Sequence, residues 1–186
     1  MNPAPNLFFI GPMGAGKTTI GRGVAELLGL SFHDLDHEIE VHCGAAIPLI
    51  FDIEGEAGFR QRESALLAEL SAHTDVVVAT GGGAVLAPEN RGLLRARGFV
   101  VYLETTVDEQ LARLARDRKR PLLAAPDRRE RLLALAAERE PLYREIADLV
   151  VPAGPRRSTL QVAQRLAAEL GLCWRRQRID APDRVA

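Results

Sequence analysis

A three-layer α/β fold built on a parallel sheet is predicted by three features of the chain. Short apolar runs alternate with helical patterns five times. The first apolar run ends in a glycine-rich loop that leads straight into a helix. The 186 residues, 47% apolar and 26% charged, suit one globular domain with its own core. A chain of this size buries about 70% of the surface that it exposes when unfolded. The formal net charge of −1 argues against a molecule-wide surface for polyanions, so anion binding must come from local groups, and no nucleic-acid partner is expected. No apolar run approaches the ~20 residues of a membrane span. Residues Met1 to Asn6 carry no positive stretch, so a signal peptide is not expected either. Cys43 and Cys173 have no metal or redox spacing and read as free thiols of a cytoplasmic protein.

Leu7–Ile10 reads as the first strand, apolar on both faces as a central parallel strand should be. It runs into Gly11, Gly14, Gly16, Lys17 and Thr18, the phosphate-loop pattern G-x-x-x-x-G-K-T. Glycines allow such a backbone to wrap an anion with its N–H groups turned inward. The next helix adds the positive end of its dipole. Lys17 supplies charge for the β- and γ-phosphates, and the Thr18 hydroxyl can ligate Mg²⁺. The loop points to a nucleoside triphosphate but not to what receives its phosphate.

The first helix spans Lys17–Leu28, with Ile20, Val24, Leu27 and Leu28 at helical spacing and Gly29 as its stop. Leu30–Leu35 is a second strand leading into Asp34-Leu35-Asp36. Asp36 is expected to cap a helix that breaks at Gly44. Ile47–Ile53 and Glu56–Ser71 read as two helical pieces, the second with a stripe of Phe59, Ala65, Leu66, Leu67 and Leu70. Asp75–Thr80 is a strand that ends at Gly81-Gly82-Gly83. Pro88 opens a short helix over Glu89–Arg97 whose basic end suits the dipole. Phe99–Leu103 is a buried strand and Val107–Arg116 a helix. Asp117–Asp127 is a polar excursion punctuated by Pro121 and Pro126. Arg128–Ile146 is a long helix with Leu132, Leu133, Leu135 and Leu142, which Pro141 should kink or split. Leu149–Pro152 is the last strand and Thr159–Leu170 the last helix. Residues 172–186 read as a loose tail after a single domain over residues 1–171.

Ligands of such sheets gather at the carboxyl ends of the strands. Loops 11–18, 34–36 and 81–83 should therefore meet at one cleft. Residues two apart on an extended chain point the same way, about 6.6 Å from each other, so Asp34 and Asp36 should project together. One can hold a water of a Mg²⁺ shell, and the other can accept or orient a hydroxyl proton; both also read as turn and cap aspartates. Three glycines in a row at 81–83 permit close backbone approach to a ligand. Arg60 and Arg139 carry planar forks suited to a carboxylate, although most arginines here are solvated surface. Arg113, Arg116, Arg118, Arg120 and Arg128 could serve a cationic lid over residues 113–127 that closes on the triphosphate.

Together these motifs resemble shikimate kinase, a small P-loop kinase family related to the nucleoside monophosphate kinases. The resemblance runs from Asn6 to Leu170 through GPMGAGKTT at 11–19, DLD at 34–36, IFDIEGEAGFRQRE at 50–63, TGGGAV at 80–85, RPLL at 120–123 and REPLY at 139–143. It implies a three-layer α/β/α P-loop fold with a five-stranded parallel sheet in the order 2-3-1-4-5 and a mobile lid. It implies transfer of the γ-phosphate of ATP to the 3-hydroxyl of shikimate, with Mg²⁺ as cofactor. By the same resemblance, Gly14, Ala15, Gly16, Lys17, Thr18 and Thr19 would hold ATP phosphates. Thr18 would bind Mg²⁺, and Asp34 would hold it through water. Asp36 would bind shikimate hydroxyls and act as base, while Arg60 and Arg139 grip its carboxylate. Gly81, Gly82 and Gly83 would offer backbone hydrogen bonds. Arg120 would reach the ATP phosphates, with Lys17 as the other catalytic cation, and Arg113 and Arg156 would flank the adenine. A monomer is expected. A gluconate-type kinase on the same scaffold is the near rival, disfavoured by GFRQRE, GGG and REPLY. A non-catalytic nucleotide-binding regulator is the rival of another class, disfavoured by the unbroken DLD and lid motifs.

Overall fold

A computed structural model of the chain describes residues 4–115, 127–154 and 158–175. Five strands, β1 (Asn6–Ile10), β2 (Ser31–Asp34), β3 (Val76–Ala79), β4 (Gly98–Leu103) and β5 (Leu149–Val151), form one all-parallel sheet in the order β2-β3-β1-β4-β5. The predicted fold class and strand order both hold. The central strand β1 is buried at every residue, as its two-sided apolar run requires.

Alternate residues divide the core between the faces of the sheet. Phe8, Ile10, Val78, Val100 and Tyr102 face α2 (Leu35–Cys43), α3 (Ile47–Ala72), α4 (Pro88–Arg97) and α6 (Arg128–Ile146). Leu7, Phe9, Val77, Val101 and Leu103 face α1 (Lys17–Leu28) and α7 (Thr159–Cys173). A smaller apolar cluster joins α5 (Val107–Leu114) to α6 through Leu114 and Leu132, with Met13 of the glycine loop packed against it.

The break anticipated near Gly55 is present. α3 is two helical pieces met at Gly55, whose φ of 68° and ψ of −177° suit only glycine. Phe51 stacks on Phe59 across the break at 4.7 Å between ring centres, and Arg62 makes two hydrogen bonds to Glu54. This sets the angle at which the second piece carries Arg60 toward the sheet.

Several expectations need correction. α2 begins at Leu35, so Asp34, not Asp36, is its cap, and Asp34 Oδ1 accepts from the His37 N–H at 3.2 Å. α6 continues through Pro141 as one element rather than splitting. α5 ends at Leu114, short of Arg116. Leu27 and Leu133 face solvent, as does Ala65, because the apolar stripes are narrower than their sequence spacing suggested. A short 3₁₀ turn at Ala84–Leu86, not anticipated, follows the three glycines. α7 extends to Cys173, and Trp174 is packed rather than loose: its indole lies 6.4 Å from the Phe99 ring and donates to the Ala4 carbonyl at 2.9 Å. The lid from Arg116 through Arg118, Arg120 and Pro121 to Pro126 lies outside the described residues, as does Arg156.

Candidate active site

The glycine loop between β1 and α1 turns as its sequence requires. Gly16 caps α1 with φ 97°, a conformation that side chains with a Cβ rarely adopt. The loop and the first turn of α1 thus present backbone N–H groups and a dipole end to one space. Lys17 Nζ donates to the carbonyls of Gly11 and Pro12 at 2.7 and 2.9 Å, holding its ammonium over the loop. On one side of the loop lies a cleft of about 700 Å³ lined by Gly14, Ala15, Gly16, Thr19, Arg113 and Pro152, among others. Arg113 stands at the edge of this cleft, and its Nη1 donates to the Gly14 carbonyl at 2.8 Å.

Thr18 and Asp34 meet across the space between α1 and β2, with Thr18 Oγ1 donating to Asp34 Oδ2 at 2.5 Å. The expected pairing of Asp34 with Asp36 on one extended stretch is not what the chain does. Because Leu35 already belongs to α2, the two carboxylates do not leave one extended stretch and have different neighbours. Asp34 stays with Thr18, and Asp36 turns to the glycine triplet. A hydroxyl beside a carboxylate is an all-oxygen donor pair, the chemistry that Mg²⁺ takes when phosphates and water complete its shell. Among the described residues no three His, Cys, Asp or Glu side chains cluster as a metal cage.

Gly81, Gly82 and Gly83 form the wall on the other side of the loop, and each is in contact with a different part of the site. A methyl on Gly81 would lie 2.7 Å from Glu63 Oε1 and 2.8 Å from Asp36 Oδ1. One on Gly82 would lie 3.5 Å from Gly11 O and Met13 N, and 3.6 Å from the Tyr143 hydroxyl. One on Gly83 would overlap the Arg60 guanidinium. The triplet therefore touches Asp36, the phosphate loop and Arg60 in turn, and a side chain at Gly81 or Gly83 would crowd the acid or the guanidinium, whereas Gly82 lies at ordinary contact distance from the loop.

The charges on this wall are arranged by α3 and α6. Arg60 Nη1 donates to Glu63 Oε2 at 2.6 Å, and its Nη2 donates to Glu56 Oε1 at 3.1 Å. Burial alone would lower the Arg60 guanidinium, but Glu63 and Glu56 hold it above its ordinary value. Glu63 is fully buried, and burial pushes its carboxyl up despite the opposing pull of Arg60. Arg139 is 8% exposed, and its charge also bears on Glu63. Tyr143 stacks on Tyr102 with ring centres 5.0 Å apart, and its hydroxyl donates to the Gly82 carbonyl at 2.5 Å. Burial raises the Tyr143 phenol well beyond its usual range, so it stays a donor at any working pH. Glu63 Oε1 is buried without a hydrogen-bond partner among the described residues, and Arg139 Nε, also buried, has only a 3.5 Å ion-pair contact with Glu138 Oε2. A buried polar atom left unsatisfied costs about 1–3 kcal/mol, so a polar partner on the acceptor would be favoured at these two positions.

Glu63 and Tyr143 were not singled out from the sequence. The signal was there: Glu63 is three residues after Arg60 and Tyr143 four after Arg139, so each shares a helix face with a residue that was.

The family model for shikimate kinase matches residues 13–171. The chain belongs to the shikimate kinase family. It is 54% identical over 181 residues to a shikimate kinase of Stenotrophomonas maltophilia, covering 97% of this chain and 100% of that one. It is 60% identical over 148 residues to a shikimate kinase of Bordetella avium, covering 80% of this chain and 71% of the other. Among solved structures, shikimate kinase from Acinetobacter baumannii in complex with shikimate superposes with a TM-score of 0.86 at 48% identity, over 92% of this chain and 94% of that one. A gluconokinase from Sinorhizobium meliloti shares only the fold, at 19% identity and a TM-score of 0.55.

Proposed function

We propose that the chain is a shikimate kinase, which transfers the γ-phosphate of ATP to the 3-hydroxyl of shikimate and releases ADP. The observation that carries this reading is the glycine triplet. It abuts the phosphate loop at Gly82, Asp36 at Gly81 and Arg60 at Gly83, so an acid, a carboxylate-binding cation and a phosphate cradle border one space. Family membership and the shikimate-bound relative support the choice of acceptor.

In this reading the loop from Gly14 to Thr19 cradles the triphosphate, and Lys17 leaves the Gly11 and Pro12 carbonyls to meet the β- and γ-phosphates. Arg113 borders the nucleoside cleft. Arg120 and Arg156, outside the described residues, are assigned to the nucleotide by their sequence motifs alone. Arg60 and Arg139 bind the acceptor carboxylate, and Gly81, Gly82 and Gly83 line its ring. Asp36 accepts the proton of the 3-hydroxyl as its oxygen bonds to the γ-phosphorus. The bond from that phosphorus to the β,γ-bridging oxygen breaks, and ADP departs with the electron pair. Positioning and charge stabilisation, not covalent catalysis, supply the rate. Thr18 and Asp34 would hold Mg²⁺, Asp34 through water, and the ion would supply positive charge against that of the phosphates.

A steady-state assay with shikimate and gluconate as acceptors tests the reading. Turnover of gluconate with none of shikimate would overturn it, and turnover of neither would favour the non-catalytic regulator. Chelation of divalent ions should abolish turnover, and Mg²⁺ should restore it. We also propose a cytoplasmic monomer. Among the described residues no helix is long and apolar enough to cross a membrane, and light scattering of the purified chain checks the oligomeric state.

A further inference from the structure

The outer wall of the phosphate loop is held by a residue remote from it in sequence. Gln110 of α5 is buried, only 3% exposed, and its Nε2 donates to the Met13 carbonyl, 97 positions away, at 2.8 Å. One turn further along the same helix, Arg113 Nη1 donates to the Gly14 carbonyl at 2.8 Å. Two successive carbonyls of the loop are thus drawn toward α5. In a trans peptide the C=O and the following N–H point in opposite directions. With the Met13 oxygen held by Gln110, the Gly14 N–H is turned to the side away from that carboxamide.

α5 is itself firmly placed. Thr106 and Glu109 cap its start reciprocally, the Thr106 hydroxyl accepting from the Glu109 N–H and the Glu109 carboxylate from the Thr106 N–H. The Met13 side chain packs into the apolar cluster of Val107, Leu111, Leu114 and Leu132. Arg129 of α6 donates to Asp108 at 2.5 Å. Side chain and carbonyl of Met13 are therefore both anchored in the α5–α6 unit, one by packing and one by Gln110. Packing alone fixes where the loop lies, but it does not fix which way a peptide plane faces.

We infer that Gln110 is a positioning residue for the phosphate loop: its carboxamide sets the Met13–Gly14 peptide so that the Gly14 N–H faces the nucleotide phosphates. The inference rests on the nucleotide reading of the loop given above. Gln110 acts through the loop and touches no reacting atom.

The test compares ligand affinities in Gln110→Met, which keeps the length and packing of the side chain but lacks the donor. ADP and shikimate are titrated separately by calorimetry, and kcat is measured at saturating ATP. ADP should bind about 5- to 30-fold more weakly, the effect of one misdirected backbone hydrogen bond, and KM for ATP should rise with it. Shikimate affinity should stay within about twofold, because packing is preserved. An ADP affinity within about twofold of wild type, or equal losses for both ligands, would overturn the positioning role. Should Gln110→Met not fold, Gln110→Asn, which keeps the amide but is too short to reach Met13, is judged by the same criteria. Lys17→Ala separates this inference from the reading beneath it. If the wild type binds ADP and Lys17→Ala does not, unaltered binding in the Gln110 variant sinks only the positioning role. If the wild type does not bind ADP, the nucleotide reading fails and the role of Gln110 with it.

Discussion

From Gly11 to Thr18 the chain offers an anion its backbone; on the opposite wall, from Asp36 to Tyr143, it offers side chains drawn from α2, α3 and α6 and set against a glycine turn. The first wall is contiguous in sequence and depends on a few peptide orientations. The second is assembled from segments far apart and depends on charges placed inside the protein. A backbone cradle can serve any nucleoside triphosphate. Buried side chains with fixed partners are what can distinguish one small acid from another, because a wrong acceptor leaves them unpaired. In the function proposed above, one wall serves ATP and the other selects the acceptor.

The sharpest way to break this division is Asp36→Asn. It should lower kcat by about 10² to 10⁴, the range of a lost general base, while ADP affinity is kept. Pre-steady-state and steady-state turnover with shikimate measure it, and an unchanged kcat would remove Asp36 as base. Next in size is Arg139→Ala. Loss of hydrogen bonds to a charged group, about 1.5–3 kcal/mol, should raise KM for shikimate about 10- to 100-fold and leave KM for ATP nearly unchanged. Equal damage to both constants would contradict the division of labour.

Gly83→Ala probes the same wall by crowding instead of deletion. The added methyl meets the Arg60 guanidinium, and overpacking of this kind costs about 1–3 kcal/mol. Displaced Arg60 should show as a rise in KM for shikimate of about tenfold, with ATP again spared. A variant with ordinary shikimate kinetics would mean that Arg60 yields freely and does not depend on the glycine.

The smallest effect concerns Glu63 and appears in stability. Burial holds its carboxyl above the ordinary value of 4.5, so the folded chain keeps this proton more tightly than the unfolded one. The stabilisation from that proton is complete below the unfolded value and is lost as pH rises through the raised folded value. Urea melts from pH 4 upward should therefore show that the wild type loses stability relative to Glu63→Gln as pH increases. A constant difference between the two proteins across that range would show that Glu63 titrates normally in the folded state.

How much of this could be read from the chain follows the same divide. The phosphate loop, the strand before it and the break at Gly55 each carry their signal within a few residues, and the structure places them where the sequence does. Asp34 and Asp36 misled because either aspartate can cap a helix. Which one does so fixes where extended chain becomes helix, and here Asp34 caps while also meeting Thr18, a residue 16 positions earlier. Glu63 and Tyr143 gain their meaning from contacts with Gly81 and Gly82, which no local pattern encodes. Trp174 was assigned to a tail because its partner, Ala4, lies 170 positions away.

That last contact has a practical side. Trp174 is the one tryptophan in the chain. It is fastened beside the amino end of β1, whereas the glycine loop leaves the carboxyl end of the same strand. Its emission should therefore follow global unfolding and be insensitive to ligands at the far end of the sheet, giving a built-in optical reference against which every variant above can be checked for intact folding.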